Sequence, residues 1–275
     1  MYEGIRYPIM ESRIDWLTAT SSDPARRSVL GSFGKALLAE ERVEGNDQTP
    51  FTAHGATGNR CGHVEVAEGS EWSLLRVRSD LAHRVAPAIA TWSDRWTRVD
   101  YCVTIIAPPV DFDPTEDYWA EWHRLWPDSR QRSVLGRYQD TRMGRTIYIG
   151  KRASAIYNRC YNKHVESRGR YPPGSWRWEV ELKKERANLE RDAWINGPRS
   201  NSSIASVVAH GWSRQHLTVP WQTEIVSLPS GRVRRRSDAD RRLSWYERQV
   251  APTIAQVIAA RGRRAVMESL GLWDT

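Results

Sequence analysis

The sequence predicts an α+β fold: a largely antiparallel sheet with helices on one face, followed by a helical C-terminal segment. Two observations lead there. Between residues 132 and 184 four strand-like runs follow one another, RSVLGRYQDT, RTIYIGKR, IYNRCYNKHV and SWRWEVELKK, with no helical spacing between them. In addition, SRIDWLTAT at 12–20 echoes TRVDYCVTI at 97–105, each reading small-Arg-aliphatic-Asp-aromatic. The echo allows a duplicated β-α-β unit that would set Asp15 and Asp100 at equivalent points of two half-sheets.

Along the chain, RIDWLTAT (13–20) is β-rich and a helix is expected near 24–42. The stretch EGNDQTPFTAHGATGNRCG has the composition of a loop. HVEVAEG and WSLLRVRS read as a hairpin-like pair of strands. LAHRVAPAIATWSDRW has helical spacing, with Pro87 as a kink or a first-turn residue. RVDYCVTII (98–106) is a strand, and PTEDYWAEWHRLW (114–126) is a helix opened by proline and acidic residues. After the central strands KERANLERDAWIN continues as a helix. Gly197-Pro198 and RSNSSI then mark a boundary. The expected division is a domain over 1–196, with halves at about 11–96 and 97–196, and a basic, mainly helical region over 197–275.

Composition narrows the function. Mean hydropathy is −0.64, and no run approaches the ~20 apolar residues of a membrane span, so no membrane partner is expected. The N-terminus shows no basic region followed by an apolar core. Three cysteines without C-x-x-C spacing suit a reduced, cytoplasmic setting without structural zinc. No phosphate-binding G-x-x-x-x-G-K-[ST] loop is present, so an ATPase is not expected. The net charge of +8 points to a polyanion, and its distribution is uneven. Residues 1–129 carry 13 basic against 20 acidic side chains, 130–186 carry 15 against 5, and 197–275 carry 12 against 6. Basic charge therefore gathers around IYNRCYNKHVE and in the C-terminal quarter, where RVRRRSDADRR could grip phosphates. Of the 14 tryptophans most are expected in the core, with a few free to stack on unpaired bases.

Strand alternation sorts side chains onto faces. Tyr157, Arg159, Tyr161 and Lys163 share one side of their strand. Arg177, Glu179, Glu181 and Lys183 alternate with Trp176, Trp178, Val180 and Leu182, and Arg98, Asp100, Cys102 and Thr104 share a side of theirs. If these strands are neighbours, one polar face collects Asp100, Glu179, Glu181, Tyr161, Arg159 and Lys163. A sheet also needs a solvated side, which such charges would supply without any chemistry. As a site, the set suits phosphoryl transfer: carboxylates hold a hard divalent cation, Mg²⁺ or Mn²⁺, and the cation polarises a phosphodiester. A tyrosine becomes a nucleophile when a neighbouring cation or base stabilises its phenolate. Lys163 and Arg159 flank Tyr161 for that purpose, and the choice between Tyr157 and Tyr161 stays open on alternation alone.

The residues also carry a family likeness. RTIYIGKRASAIYNRCYNKHVE followed by WRWEVELKKERA resembles the replication initiation factor (Rep_trans-type) family of rolling-circle plasmid and phage initiators and related relaxases. The matching positions are Thr146 to Arg152 with Ser154, then Arg159, Tyr161, Asn162, Lys163 and Glu166, then Arg177, Glu179, Leu182 and Lys183. TRVDYCV and RRLSWYERQVAPTIAQVI extend the likeness to roughly 97–262, although Thr104 stands where a second aspartate is frequent. The resemblance implies site-specific nicking and joining of single-stranded or cruciform origin DNA through a 5′-phosphotyrosine. It places the nucleophile at Tyr161, the main metal ligands at Asp100 and Glu179, and further ligand candidates at Glu181 and Asp15. Lys151, Arg152, Arg177, Lys183, Arg234, Arg235 and Arg236 are the candidate DNA-binding residues. A host helicase is an expected partner, and homodimer formation is left open. A relaxase of a mobile element would use the same chemistry, and a non-catalytic single-strand-binding protein would use the same face without it.

Overall fold

A computed structural model of the chain describes residues 7–107, 112–127, 136–141, 144–197, 199–221, 256 and 258–260. The chain divides into two compact units, Met1–Gly231 and Arg232–Thr275. In the first unit, β1 (Ile9–Ser21), α1 (Pro24–Val43), β2 (Gln48–Ala53), β3 (Ala56–Cys61), β4 (Val64–Glu68), β5 (Ser73–Arg78) and α2 (Ser79–Trp92) form one half. The other half is β6 (Arg95–Ile106), α3 (Pro114–Leu125), β7 (Gly136–Thr141), β8 (Gly144–Ile149), β9 (Ile156–Asn162), the single turn α4 (Lys163–Glu166), β10 (Ser175–Lys183) and α5 (Glu185–Ile195). Helix α6 (Asn201–Ser213) follows.

All the strands join one antiparallel sheet in the order β2-β3-β4-β5-β1-β6-β10-β9-β8-β7. In each half the first strand is central and pairs with the last strand of that half. The two halves thus share one strand order, and each carries a four-stranded run between its two main helices. The halves meet where β1 pairs with β6, with Ile14 opposite Tyr101, Trp16 opposite Asp100, and a bulge at Asp15. Both halves also make the same backbone exception. The residue after the last strand, Ser79 in one and Lys184 in the other, has a positive φ of 59° and 57°, a region few residues without glycine's freedom occupy.

The five long helices among the described residues cover one face. Ile14, Leu17, Val99, Val103, Trp178 and Val180 point into that side, where they meet Leu30 and Leu37 of α1, Ile89 of α2 and Trp122 of α3. Trp194 of α5 and Val208 and Trp212 of α6 complete the layer. The opposite face keeps the alternate, polar positions. No helix among the described residues is long and apolar enough to cross a membrane.

Two expectations change. The stretch expected as a loop contains the hairpin β2–β3, whose turn His54-Gly55 has φ of 48° and 80°. Two consecutive positive φ values match the twist of a tight hairpin. The strands were illegible because they form the edge of the sheet and bury little, so no apolar alternation marks them. Beyond Gly197, the serine-rich run opens α6, with Ser200 Oγ accepting from Ser203 N at 3.2 Å as its cap. Ile204, Val208 and Trp212 are wholly buried in the first unit's core, so the helix belongs with the sheet and not with a separate region.

Asp94, in the loop between α2 and β6, ties that loop to the connection between β1 and α1. Its Oδ2 accepts from Ser22 N at 2.7 Å, Asp23 N at 2.8 Å and Ser21 Oγ at 2.9 Å. Burial by itself would raise this carboxyl, but the Asp23 and Ser22 amides outweigh it and hold the group below its ordinary value. Asp94→Asn is expected to cost roughly 1–2 kcal/mol at neutral pH. A lowered folded-state value means stability that is present above the unfolded value and lost as pH falls. Thermal melts should therefore separate the variant from the parent at pH 7 and bring them together in acid; a gap independent of pH would contradict the assignment.

Candidate active site

On the polar face, directly opposed residues of neighbouring strands form rows. Glu181 lies opposite Asp100 and Tyr157, Glu179 opposite Cys102 and Arg159, and Arg177 opposite Thr104 and Tyr161. The rows bring Asp100, Glu179, Glu181, Arg159 and Tyr161 together as alternation predicts. Asn162 ends β9 and caps α4 by accepting from Val165 N at 3.1 Å, so Lys163 starts a helical turn at the rim.

The charges form one continuous chain. Lys183 Nζ meets Glu181 at 2.7 Å, and Glu181 meets Arg98 at 3.2 Å. Arg98 holds Asp100 through two bonds, Nε to Oδ1 at 2.8 Å and Nη2 to Oδ2 at 2.5 Å. Arg159 reaches Asp100 at 3.4 Å and bonds Glu179, and Tyr161 Oη donates to Glu179 Oε1 at 2.5 Å. Burial raises the Asp100 carboxyl to about 6 despite Arg98 and Arg159. Burial first, and the Glu179 charge second, push the Tyr161 phenol well above its ordinary value. The phenol therefore carries its proton, with a carboxylate oxygen in place to receive it.

A second network adjoins the first. Arg177 is wholly buried, and its guanidinium donates to Thr104 Oγ1 at 2.9 Å, Asp15 at 3.1 Å, Glu11 at 2.9 Å and Tyr171 Oη at 2.9 Å. Tyr171 Oη in turn donates to Glu11 at 2.8 Å. Thr104, standing where a second aspartate is frequent, thus anchors an arginine. Lys163 Nζ lies 5.7 Å from the Tyr161 ring and 5.3 Å from the Tyr171 ring. A cavity of about 1290 Å³ opens over both networks, lined among others by Tyr161, Arg159, Lys163, Asp15 and Tyr171.

Not every expected residue joins the centre. Asp15 pairs with Arg177 and Arg13 in the second network, and it acts on Arg159 and Tyr161 only through its charge. Arg177, expected on DNA, is enclosed by its partners and holds the site together instead. Lys183 pairs with Glu181, and Arg152 and Lys183 lie 6.0 Å and 5.7 Å from the Tyr157 ring, which stacks on Tyr148. Lys151 is exposed beside them. Arg234, Arg235 and Arg236 lie outside the described residues. Sequence reasoning gave no role to Arg98, Arg13, Glu11 or Tyr171. Arg13 and Arg98 head the two echoing segments, which was the available signal; Tyr171 sits in the loop RGRYPPGS, where no periodicity applies.

The divalent cation implied by the sequence can be tested against these residues. Among the described residues no three His, Cys, Asp or Glu side chains converge as a complete cation site. Asp100 and Glu179 do converge, both on the Arg159 guanidinium, which occupies a cationic position between them. Two carboxylates suit a hard cation whose other ligands are water and substrate phosphate. A cation on this pair would take the position that Arg159 fills, and the two carboxylates would give it an open site and not a closed cage.

Removing Arg177 would take the wholly buried cation from Asp15, Glu11 and Thr104 and leave the two acids with Arg13, at 3.3 Å and 2.9 Å, as their remaining shared partner. Arg177→Ala is expected to lower unfolding stability by about 3 kcal/mol, and Arg177→Lys to recover little of it, because one ammonium cannot reproduce the planar fork. Urea denaturation of the three proteins checks this, and a near-neutral Arg177→Ala would contradict it.

Comparison with known proteins agrees with the architecture. No curated protein sequence matches the chain. Its fold is similar to that of a rolling circle replication initiator protein from Geobacillus stearothermophilus, with a TM-score of 0.53 and 16% identity, over 73% of this chain and 84% of that one. The family model described as replication initiation factor matches residues 115–270, more than half of the sequence. The chain belongs to the replication initiation factor family.

Proposed function

We propose that this chain initiates rolling-circle replication by nicking and rejoining one strand of origin DNA, with Tyr161 as nucleophile. The observation that carries the reading is the 2.5 Å hydrogen bond from Tyr161 Oη to Glu179, at the edge of a cavity flanked by Arg159 and Lys163. Family membership and the fold shared with a rolling-circle initiator support it.

In this scheme Tyr161 Oη attacks the scissile phosphorus as its proton passes to Glu179. The P–Oη bond forms, the P–O3′ bond breaks, and the departing oxygen takes up a proton to become a 3′-OH that a polymerase can extend. Attack of a 3′-OH on the phosphotyrosine reverses the exchange and joins the strand. Lys163 and Arg159 neutralise charge on the phosphate, and Arg98 holds Asp100 in place beneath it. Asp100 and Glu179 are the residues that would hold Mg²⁺ or Mn²⁺, which supplies further charge neutralisation when bound. Unpaired or cruciform origin DNA is the substrate, and a separate helicase opens the duplex.

Tyr171 is the second phenol with a claim, because it receives a hydrogen bond from Arg177 and has Glu11 as an acceptor. Tyr161→Phe separates the two. It is expected to abolish the covalent adduct that wild-type protein forms with single-stranded origin DNA on a denaturing gel, while strand affinity survives. A persistent adduct transfers the role to another phenol, Tyr171 or Tyr157, and no wild-type adduct on any origin sequence leaves a binding protein. Glu179→Gln should slow adduct formation by roughly 10²–10⁴-fold. EDTA should stop cleavage and added Mn²⁺ restore it; full activity in chelator removes the cation from the scheme.

A further inference from the structure

The two half-sheets have the same strand order, but only the second carries a tyrosine on its strands' polar face. Strands β1 to β5 contain none. In the first half the polar row is Thr18, Arg76, Glu65 and Arg60. Three guanidiniums surround the one buried carboxylate of Glu65: Arg60 at 2.7 Å, Arg76 in direct contact, and Arg78 at 3.6 Å. Positive charge is therefore left over, and the three arginine side chains keep between 27% and 45% of their exposure.

Beside them lies Trp16, opposite both Arg78 and Asp100 at the junction of the halves. Its indole is half-buried and has Arg98 at 4.5 Å and Arg76 and Arg78 at 5.5 Å from the ring centre. The guanidiniums lie over the indole, so an aromatic ring and phosphate donors form one group that lines the cavity, and the two kinds of group together are what hold a single strand without reading its sequence. Trp16 and Arg78 line the same cavity as Tyr161. From β9 to β5 the sheet takes four strand-to-strand steps, roughly 19 Å at the usual spacing, a span of a few nucleotides.

We propose that the polar face of the first half-sheet is the platform for the unpaired strand flanking the nick. A base stacks at Trp16 and phosphates lie on Arg76 and Arg78, while the scissile phosphate sits at Tyr161. The proposal rests on the nicking reading for the position of the scissile phosphate and on the first half alone for the platform. Two copies of one fold have divided the work: the second cuts, the first holds.

Anisotropy of a labelled single-stranded oligonucleotide bracketing the nick, measured in the Tyr161→Phe protein, tests it. Trp16→Ala should weaken binding about tenfold, Trp16→Phe should recover most of the loss, and the difference should vanish when the oligonucleotide is trimmed from one end. Arg76→Gln and Arg78→Gln should each lower the slope of log Kd against log salt by about 0.7. Thermal melting identifies any variant that fails to fold, and the Trp16→Phe comparison holds independently of the arginine variants. Parental affinity in Trp16→Ala, with parental salt slopes in both arginine variants, overturns the platform. The nicking reading is judged separately by the adduct of the protein that keeps Tyr161. An adduct together with unaffected variants sinks the platform alone; weakened variants without an adduct sink the nicking alone.

Discussion

The antiparallel pairing of β1 with β6 is the contact on which the rest of the molecule depends. It joins two copies of one strand order into a single sheet, and it sets Asp15 and Asp100 on either side of the junction. Because all five long helices pack on the same side, the other side is left to side chains that cannot be buried without partners. Each acid there has found one. Asp100 is fully buried between Arg98 and Arg159, Glu179 between Arg159 and Tyr161, and Arg177 is enclosed by Asp15, Glu11 and Thr104. Such ion pairs contribute little net stability when formed and cost several kcal/mol when broken, so their effect is to hold the Tyr161 phenol and the Glu179 carboxylate at a fixed separation.

Much of this was legible in the sequence because it rests on two periodicities. Alternation in RVDYCVTII, IYNRCYNKHV and SWRWEVELKK put Asp100, Tyr161, Arg159, Glu179 and Glu181 on one face, and the structure does bring them together. The echo between 12–20 and 97–105 marks the central strand of each half, although two short segments could not show how far each half extends. What was not legible falls outside periodicity. The hairpin β2–β3 is an exposed edge and needs no apolar pattern, α6 begins in a serine-rich cap that reads as a linker, and Tyr171 comes from a loop. Arg177 shows a further limit: alternation gives a side chain's face but not its depth, so a residue expected on DNA proved to be wholly buried.

The two half-sheets also differ in how they carry charge. The first 129 residues are acidic overall, yet the polar face of their half-sheet gathers Arg60, Arg76 and Arg78 around one glutamate. The acids of that half lie mostly elsewhere, so net charge by segment understates how basic the face is. A phosphate backbone meeting the sheet encounters guanidiniums on both halves, with Trp16 at the seam and Tyr161 to one side. In the proposed scheme, strand binding and strand cleavage are neighbouring properties of one surface.

The central claim is that the phenol of residue 161 forms the covalent bond to DNA. Its most direct measurement is peptide mapping by mass spectrometry of wild-type protein trapped on a single-stranded origin oligonucleotide. The account predicts a nucleotide attached to the peptide containing Tyr161 and none on the peptide containing Tyr171. Attachment at Tyr171, at Tyr157 or at no tyrosine would contradict it.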